Sequence, residues 1–390
     1  MTAVNFFDMD REELIEFLVA AGHRPFRAKQ LQKWVYHQGI TDFSAMTDLS
    51  KAMRAWLAEA VTFDLPEVQH VAHSTDGTIK WVVKVQGGNC VETVLIPDHT
   101  AERKRNTLCV SSQVGCTLDC TFCSTGKQGF DGNLSTAEII GQVLIANAAL
   151  AGRGEAVTNI VFMGMGEPLL NYEPVMRAAR LLMADDAFGL SKRRVTVSTA
   201  GVVPKIREMT GTTDVSLAIS LHAPNDALRD QLVPLNKKYN IRELMDACNA
   251  YVEGLGEKRS LTIEYTLMDR VNDGLEHAAE LAELLRDVRC KINLIPFNPF
   301  PGSGFKRPSM NRVRRFQTAL MQQGYATMLR TTRGDDIDAA CGQLVGRVAD
   351  RTRRQDRYRS TIEAGGTAAQ RRLRSGDKAD KLVDVKEISV

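Results

Sequence analysis

The sequence predicts an α/β fold with a parallel sheet for residues 107–346, because short apolar runs alternate there with helical patterns. Chains that alternate strand and helix form right-handed βαβ units. Six runs are fewer than the strands of the usual closed barrel, so we expect an open or partial barrel of six βα units. The predicted strands are TLCVSS, NIVFMGMGEP, RVTVSTAG, DVSLAISLHA, SLTIEYTLMD and KINLIPFNPF.

Helical patterns separate these predicted strands. The clearest is STAEIIGQVLIANAALAG, in which Ser135 and Glu138 have the spacing of a capping box. Four later segments show the same periodicity and complete the expected alternation. They are EPVMRAARLLM, IRELMDACNAYV, LEHAAELAELLRDV and MNRVRRFQTALMQQG.

Residues 1–64 are predicted to form a helical accessory domain, since residues 9–62 read as helices. Leu31, Trp34 and Val35 form an apolar stripe at i, i+3 and i+4. This spacing predicts one amphipathic helix within the domain.

Residues 65–106 are predicted to form a β-hairpin and linker region. Two strand-like runs occupy residues 78–96, and Gly87-Gly88-Asn89 separates them. Glycine and asparagine between two such runs are typical of a hairpin.

The chain ends in a basic segment, residues 347–390. The whole chain has a net charge of +3, yet the stretch from Arg347 to Lys381 holds 11 Lys and Arg against 5 Asp and Glu. Such a charged, apolar-poor segment cannot bury enough surface to offset the entropy lost on ordering. We therefore expect a flexible or loosely helical tail.

The composition is that of a soluble protein, with 44% hydrophobic and 25% charged residues. No run approaches the roughly 18 apolar residues of a membrane span, and the N-terminus lacks the apolar core of a secretion signal. Eight cysteines in 390 residues are not typical of the disulfide framework of short secreted domains. We therefore expect a cytoplasmic location, no membrane association, and thiols that bind metal or do chemistry.

Three of the cysteines, Cys116, Cys120 and Cys123, form the motif CTLDCTFC. Structural zinc needs four ligands, and Cys109 is a fourth cysteine nearby, so a zinc site stays possible. An iron–sulfur cubane held by three thiolates would keep one iron open to a small chelating molecule. The motif follows the first predicted strand, at the end where α/β folds place their chemistry, and this position favours iron.

The cysteine motif, with Phe122 before its third cysteine, resembles that of the radical S-adenosylmethionine (SAM) superfamily. Three further stretches resemble the RlmN/Cfr family of RNA methyltransferases: CVSSQVGC at 109–116, GMGEPLLN at 164–171 and GDDIDAACGQL at 334–344. The resemblance extends from the N-terminal helices to about Gly346. It implies a partial (βα)6 radical SAM barrel preceded by a small helical RNA-binding module.

The resemblance implies methylation of adenine at C2, in the peptidyl transferase centre of 23S rRNA and in some tRNAs at the adenosine 3′ of the anticodon. Family members that methylate adenine C8 lack the proline of the second-strand motif, whereas this chain has Pro168. C2 is therefore the preferred position. The alternatives are C8 methylation and a non-catalytic, zinc-bearing RNA-binding protein.

The resemblance also implies the chemistry, which uses a 4Fe-4S cluster on the three motif cysteines and two SAM molecules per turnover. One SAM methylates Cys341, and the other yields the radical that activates this methyl group for addition to adenine. Cys109 matches the cysteine that releases the product by forming a disulfide with Cys341, and Glu92 matches the proposed proton acceptor. On residue chemistry alone, the two cysteines are typical of core cysteines and Glu92 of a half-exposed strand.

Polar residues at the ends of successive strands form the SAM pocket that the resemblance implies. Gly166 allows close backbone approach, and Glu167 can accept hydrogen bonds from the methionyl ammonium group. Convergence of such residues on one rim is expected of the C-terminal face of a barrel. The remaining predicted contacts, to ribose and adenine, are Ser198, Ser220, Leu221, His222 and Asn298.

The partners implied are 23S rRNA, tRNA, a flavodoxin-like electron donor and a cellular thiol reductant, and we expect a monomer. RNA contacts need clustered cations to neutralise phosphates. The basic tail is expected to add nonspecific affinity for RNA. Other candidate contacts are the helix face of Lys29 and Lys33 and the segments 102–106, 191–194 and 306–315.

Overall fold

The computed structural model describes residues 3–98, 104–346 and 352–356. The first of these residues form a helical unit in which the predicted stripe residues Leu31 and Val35 are buried. Two short parallel strands, β1 (Val4–Asn5) and β2 (Val61–Thr62), pair near its ends. Its helices are α1 (Arg11–Ala20), α2 (Arg27–Gln32), which a π-helical turn at Lys33–His37 continues, and α3 (Lys51–Ala60).

A large sheet forms the centre of the molecule, and ten strands of the described residues belong to it. Their order is β14-β13-β12-β11-β10-β9-β6-β5-β4-β3, while β7 and β8 form a separate antiparallel pair. The bounds are β3 (Glu67–His73), β4 (Ile79–Lys84), β5 (Cys90–Asp98), β6 (Arg105–Cys109), β7 (Gln113–Gly115), β8 (Phe130–Asn133), β9 (Asn159–Phe162), β10 (Val195–Thr199), β11 (Ser216–Ser220), β12 (Leu261–Leu267), β13 (Cys290–Pro296) and β14 (Thr327–Leu329).

Neighbouring strands from β6 to β14 run parallel, whereas β3, β4 and β5 are antiparallel additions at the β6 edge. Helices connect the parallel strands, and α5 begins with the predicted capping box of Ser135 and Glu138. The helices are α4 (Ser124–Lys127), α5 (Thr136–Ala151), α6 (Tyr172–Met183), α7 (Val203–Met209), α8 (Asp226–Leu232), α9 (Ile241–Gly254), α10 (Leu275–Leu284) and α11 (Met310–Gln322).

All six predicted barrel strands are present as β6 and β9 to β13, which confirms the partial α/β barrel. The short strand β14 continues the parallel order beyond them and was not predicted. The predicted hairpin corresponds to β4 and β5, with Gln86–Gly88 as its turn, and β3 adds a third antiparallel strand. The region 65–106 is therefore joined to the barrel through the pairing of β5 with β6.

The two faces of the parallel sheet have different chemistry. The Tyr265 ring lies 5.4 Å from the Phe316 ring of α11, so that side of β12 faces the helices. Side chains alternate along a strand, so Glu264 lies on the opposite face, which is the barrel interior. Glu264 is in register with Ser220 and Asn293, and its Oε1 accepts a hydrogen bond from Asn293 Nδ2 at 2.8 Å. The interior of the barrel therefore carries polar groups.

The helical unit contacts the barrel helices through ionic and hydrogen-bonded contacts. Arg180 of α6 lies 2.8 Å from the Asp10 carboxylate, which is also the N-cap of α1. Ala137 N of α5 donates to Asp8 Oδ1 at 2.8 Å.

In the part of the chain that the structure describes, every helix is too short or too polar to span a membrane.

Candidate active site

The three motif cysteines lie in the loop between β7 and α4, and a close backbone contact fixes the base of this loop. Gly115 has a φ of +76°, and a Cβ there would overlap the carbonyl of Gly129, so the position requires glycine. Cys116 N donates to the same carbonyl at 2.8 Å. Cys116, Cys120 and Cys123 are free, half-buried thiols that share this loop.

Burial makes these thiols poor acids unless positive charge is brought to them. Burial and then the neighbouring Cys123 raise the pKa of Cys116 to about 12. The pKa of Cys120 is raised by burial and then by Cys116 and Cys123. The three thiols share one short loop, so thiolates there would repel one another. Such a set is stable as thiolates only when cations or a metal centre offset the repulsion.

Arg229 and Lys127 are buried cations that lie beside the loop. Arg229 is 1% exposed, and burial lowers its pKa to about 10, while Cys120 has the largest opposing effect. Its guanidinium donates to Leu221 O at 3.1 Å and to Asn236 Oδ1 at 2.8 Å. Lys127 is also buried and forms an ion pair with Asp119 at 2.9 Å. These charges favour thiolates on the loop.

The donor set fits a 4Fe-4S cluster. Among the described residues, no group of three or more His, Cys, Asp or Glu side chains is arranged around a single metal ion. A cubane does not need that arrangement, because its thiolates bind different iron atoms. Three adjacent thiols with buried cations nearby therefore suit a cubane better than a tetrahedral zinc ion.

Gly166 and Glu167 follow β9 and pack closely at the rim of the barrel, where the parallel strands end. Gly166 has a φ of +98°, and a Cβ at this position would lie 2.5 Å from Gln113 Cβ. Glu167 is buried, and its Oε2 accepts a hydrogen bond from Ala200 N at 2.8 Å, next to the end of β10. Burial raises the pKa of Glu167, although hydrogen bonds led by the one from Ala200 oppose the rise.

Residues at the ends of β10 and β11 lie near residues 116–123, the loop with the three cysteines, which we call the cluster loop. Ser198 Oγ and Ser220 Oγ lie 3.4 Å apart on adjacent strands. His222 packs edge-on against Phe122 of the cysteine motif, with the ring centroids 4.7 Å apart. Leu221, between Ser220 and His222 in the chain, is fully buried. The structure therefore brings these predicted pocket residues to the same rim as the cysteines.

His222 is fixed as a neutral imidazole. Its Nδ1 accepts a hydrogen bond from Thr266 N at 3.0 Å, so its proton is on Nε2. Burial, and then the positive charge of Arg229, lower the pKa of His222 to about 3. The backbone of His222 adopts a left-handed φ of +61°, and Asn272 Nδ2 donates to its carbonyl at 2.8 Å.

The segment that contains Cys341 lies against the cluster loop. Asn298 Nδ2 donates to Cys341 O at 3.3 Å, and Ser124 N donates to Gly342 O at 2.8 Å. Ser124 directly follows Cys123, so these contacts place Cys341 next to the cluster loop. Further along, Thr125 Oγ1 donates to Leu344 O at 2.9 Å.

Cys341 also borders the barrel interior near Cys109. A small cavity of about 30 Å³ is lined by Cys341, Asn298 and Arg330, among others. Cys109 is buried at the end of β6, and its Val94 partner lies on β5. Burial, and then the nearby Cys341, raise the pKa of Cys109 to about 12, while Arg330 opposes this rise. Strand β5 pairs with the strand of Cys109 and also contacts the Cys341 segment at Val345.

Glu92 is buried on β5, so its interpretation as a residue of a half-exposed strand, from residue chemistry alone, was wrong. Its Oε1 pairs with Lys80 Nζ at 3.0 Å, and its Oε2 accepts from Val345 N at 2.8 Å. The contact with Val345 joins Glu92 to the Cys341 segment. Burial raises the pKa of Glu92, and the positive charge of Lys80 is the largest opposing influence.

Polar groups inside the barrel were not predicted from the sequence. Arg330 follows β14, and Cys341 raises its pKa most, with smaller contributions from Glu264 and Cys109. Glu264 Oε2 is buried and has no hydrogen-bond partner among the described residues. A polar residue directly after a short apolar run could have pointed to Arg330, but β14 was not predicted.

The candidate RNA contacts are largely exposed but partly paired. Lys29 and Lys33 are exposed, as are residues 191–194, of which Lys192 pairs with Asp214. In the segment 306–315, Arg312 pairs with Asp273 at 2.6 Å. Of the segment 102–106 only residues 104–106 are described, and the tail is described only at residues 352–356.

A larger cleft of about 570 Å³ opens in the helical unit, and Phe43, Arg54 and Phe63 are among its lining residues. None of the predicted site residues lines it. The chemistry of the cysteines is therefore in the barrel and not in this cleft.

Comparisons with known proteins match both parts of the chain. Residues 4–62 match the model of the ribosomal RNA large subunit methyltransferase N-terminal domain, and residues 110–285 match that of the radical SAM superfamily. The dual-specificity RNA methyltransferase RlmN of Marinomonas sp. (strain MWYL1) is 60% identical over 361 residues, covering 91% of this chain and 96% of the relative. The protein of the same name from Pseudomonas fluorescens (strain SBW25) is 58% identical over 358 residues, covering 91% and 93%. The crystal structure of a radical SAM methyltransferase from Sphaerobacter thermophilus has a TM-score of 0.80 and 44% identity, covering 87% of this chain and 99% of that chain.

Proposed function

Because the chain belongs to the RlmN family of radical SAM RNA methyltransferases, we propose that it methylates adenine at C2 in 23S rRNA and in some tRNAs. The rRNA target is an adenosine of the peptidyl transferase centre, and the tRNA target is the adenosine 3′ of the anticodon. Family membership makes the chain an enzyme that methylates RNA and uses SAM and a 4Fe-4S cluster. The proposal concerns which position of the base is methylated and which residues carry out the reaction.

The observation that carries the proposal is the location of Cys341. Its carbonyl is held by Asn298 at 3.3 Å, and the next residue is held by Ser124, which follows the last motif cysteine. On its other side, Cys341 lines a cavity together with Arg330. Strand β5, which pairs with the strand of Cys109, contacts the same segment at Val345. These contacts support a role for Cys341 between the proposed cluster loop and Cys109.

The cluster loop and the rim supply the binding groups. Cys116, Cys120 and Cys123 would hold the cluster, which together with SAM supplies a 5′-deoxyadenosyl radical when both are bound. Glu167 and the backbone at Gly166 would bind the amine of SAM. Its ribose and adenine would be bound by the rim residues Ser198, Ser220, Leu221, His222 and Asn298.

Cys341 would carry the new carbon, and two molecules of SAM would be consumed. The Cys341 thiolate takes a methyl group from one SAM by displacement, and the sulfur becomes a thioether. A hydrogen atom of this methyl group would pass to the 5′-deoxyadenosyl radical, and the methyl carbon could then bond to adenine C2. The protein and RNA are then joined covalently through Cys341.

Glu92 and Cys109 would complete the reaction. Glu92 accepts the C2 proton, and the unpaired electron of the adduct would be taken up by the cluster when it is bound. The Cys109 thiolate attacks the Cys341 sulfur, which breaks the bond from that sulfur to the new carbon. The electron pair of this bond stays with that carbon, which takes a proton to become the methyl group, and a Cys109–Cys341 disulfide forms. A cellular thiol reductant then restores both thiols, and a flavodoxin-like protein supplies the reducing electron. We propose that the enzyme acts as a monomer.

The test is mass spectrometry of nucleosides from rRNA and tRNA after anaerobic reaction with iron, sulfide, SAM and a reductant. We expect 2-methyladenosine from the native protein and none from Cys341→Ala. We expect Cys109→Ala to stop at the adduct, which is seen as a crosslinked band on a denaturing gel. Cys290→Ala, which alters a cysteine outside the site, should leave turnover unchanged. Formation of 8-methyladenosine, or full turnover by Cys341→Ala, would contradict the proposal.

A further inference from the structure

Arg354 belongs to the predicted tail, yet the structure places it against the cluster loop. Its side chain lies in a buried setting, with the residue 9% exposed, whereas the neighbouring Arg353 is exposed. The expectation of a loose tail therefore does not apply to this position. An arginine is seldom buried without partners, so its contacts show what it does.

The guanidinium of Arg354 donates hydrogen bonds to carbonyl groups at the start of the cluster loop and in α4. Nη1 donates to Cys116 O and Leu118 O, each at 2.9 Å, and more weakly to Gly126 O at 3.4 Å. Nη2 donates to Thr117 O. Residues 116–118 begin the cluster loop, and Gly126 lies in α4, which directly follows it. A single side chain therefore links the start of the loop to the helix at its end.

The residue after Arg354 adds a second tie. Gln355 Nε2 donates to Gln128 O at 2.8 Å, just beyond α4. Gln128 itself reaches the Cys341 segment, because its Nε2 donates to Leu344 O at 3.0 Å. The loop is thus held by the Cys341 segment on one side and by residues 354–355 on the other.

Only arginine has the donors for this geometry. Its planar guanidinium offers five N–H groups in a fixed fork, whereas lysine offers a compact ammonium on a flexible stem. Carbonyl oxygens that point at one place repel one another unless such a donor lies between them. The positive charge also lies next to the carbonyl of Cys116, one of the proposed cluster ligands.

We propose that Arg354 is a positioning residue that closes the cluster loop, so that the start of the C-terminal tail is part of the cluster site. By gathering the carbonyls of residues 116–118 and 126, it holds the three cysteines in the arrangement that binds the cluster. The identity of the ligand rests on the proposed function, but the closing of the loop is a property of the protein alone.

The test compares Arg354→Met, Arg354→Lys and the matched control Arg353→Met in the full-length chain. Iron and sulfide are measured after anaerobic reconstitution, and hydrogen exchange of residues 116–128 is measured in the metal-free protein. We expect Arg354→Met to hold less than half the iron of the native protein and to exchange at least tenfold faster in the loop. Arg354→Lys should restore little of either, and Arg353→Met should match the native protein.

The reduction potential of the bound cluster gives a readout that a purely structural role would not move. Loss of a nearby cation makes reduction harder, so the potential of Arg354→Met should be more negative than that of Arg353→Met. Circular dichroism and thermal unfolding establish that each variant is folded.

Full iron loading and unchanged loop exchange in folded Arg354→Met would overturn the inference. Native-like behaviour of Arg354→Lys would overturn the requirement for the guanidinium fork. The two proposals fail separately: a native protein that binds iron but methylates no RNA contradicts the proposed function, while the loop exchange of the metal-free variants still decides the role of Arg354.

Discussion

Glu92 is a buried carboxylate held between the Lys80 ammonium and a backbone N–H of the Cys341 segment. Burial favours the neutral acid, but Lys80 at 3.0 Å and the N–H of Val345 at 2.8 Å favour the anion. A proton acceptor must be the anion, so its activity is lost as the pH falls through its raised pKa. Burial therefore raises the lower pH limit of the proposed reaction, and Lys80 reduces that rise.

Replacing Lys80 by methionine should move that limit upward. Without the cation, the pKa of Glu92 rises further, because the largest influence that opposes burial is lost. The acid limb of the pH–rate profile, measured by single-turnover methylation of RNA, should therefore shift to higher pH. Lys84→Met, on the same strand but paired with the exposed Glu67 at 3.7 Å, is the control and should not shift it. An unmoved limb in Lys80→Met would argue against Glu92 as the acceptor.

Gly166 offers a test of the SAM rim. Gly166→Ala places a methyl group 2.5 Å from Gln113 Cβ in a backbone with φ of +98°. Gly211→Ala, with φ of +78° and open space around it, isolates the backbone cost of about 1–2 kcal/mol. We expect Gly166→Ala to lose about 1–3 kcal/mol more in urea unfolding, because of the overlap. Its SAM affinity in equilibrium dialysis should also fall, and equal results for the two variants would refute the close fit.

At the scale of elements, the Cys341 segment is attached to the antiparallel part of the sheet as well as to the cluster loop. Asp336 accepts hydrogen bonds from Ser74 Oγ at 2.6 Å and Thr75 N at 3.1 Å, in the turn between β3 and β4. Arg333 Nη2 donates to Pro97 O at the end of β5, at 2.9 Å. The antiparallel strands therefore position the segment that carries the proposed methyl-accepting thiol.

Asp336→Ala should loosen this attachment. We expect faster hydrogen exchange in residues 334–346 and a single-turnover rate lower by roughly tenfold or more, because a small misplacement of a reacting group is costly. The fold and the iron content should stay unchanged. Asp335→Ala removes the adjacent exposed carboxylate and is the matched control. Equal rates for the two variants would show that the turn does not position Cys341.

The elements that could be predicted are those with strong periodicity. The six barrel strands and helices such as α5 are largely buried, and their apolar runs leave a clear pattern in the sequence. Strand β3 escaped prediction because it is an edge strand with mostly exposed side chains. Strand β14 escaped because it has only three residues. Short segments and exposed edges owe their structure to their neighbours rather than to their own sequence.

The site was predictable to the extent that it follows strand ends. Gly166, Ser198 and His222 could be placed on one rim because parallel strands end together. The burial of Glu92 could not be predicted, because it depends on Val345, which is distant in sequence. The same holds for Arg354, whose four carbonyl partners lie in the cluster loop and α4. Long-range packing leaves no local pattern in the chain.

At the scale of the whole molecule, charge is concentrated at the C-terminus. Residues 357–390 contain 8 Lys and Arg and 5 Asp and Glu. Their removal leaves Arg354 in place, so effects on RNA binding can be separated from effects on the cluster loop. A truncated protein should therefore load iron normally.

We expect this truncation to weaken RNA binding and to reduce its dependence on salt. For every phosphate that the protein no longer neutralises, the slope of log affinity against log salt should fall in magnitude by about 0.7–0.9. Filter binding across a salt series measures this slope, and a full-length chain with Arg371, Arg372 and Arg374 changed to glutamine is the companion variant. An unchanged slope in both proteins would rule out a contribution of the tail.

The attachments on both sides of Cys341 limit how far its sulfur can travel. Gly334 N is held by Asp76 Oδ2 at 2.9 Å on one flank, and Leu344 O by Thr125 on the other. A thiol held in this way cannot contact an adenine that stays stacked within folded RNA. The nucleobase must therefore leave its stack and enter the site. In the proposed reaction, selection among RNAs would then depend on how readily each one unstacks its base, so a loosely stacked adenosine should react faster than the same nucleotide within a duplex.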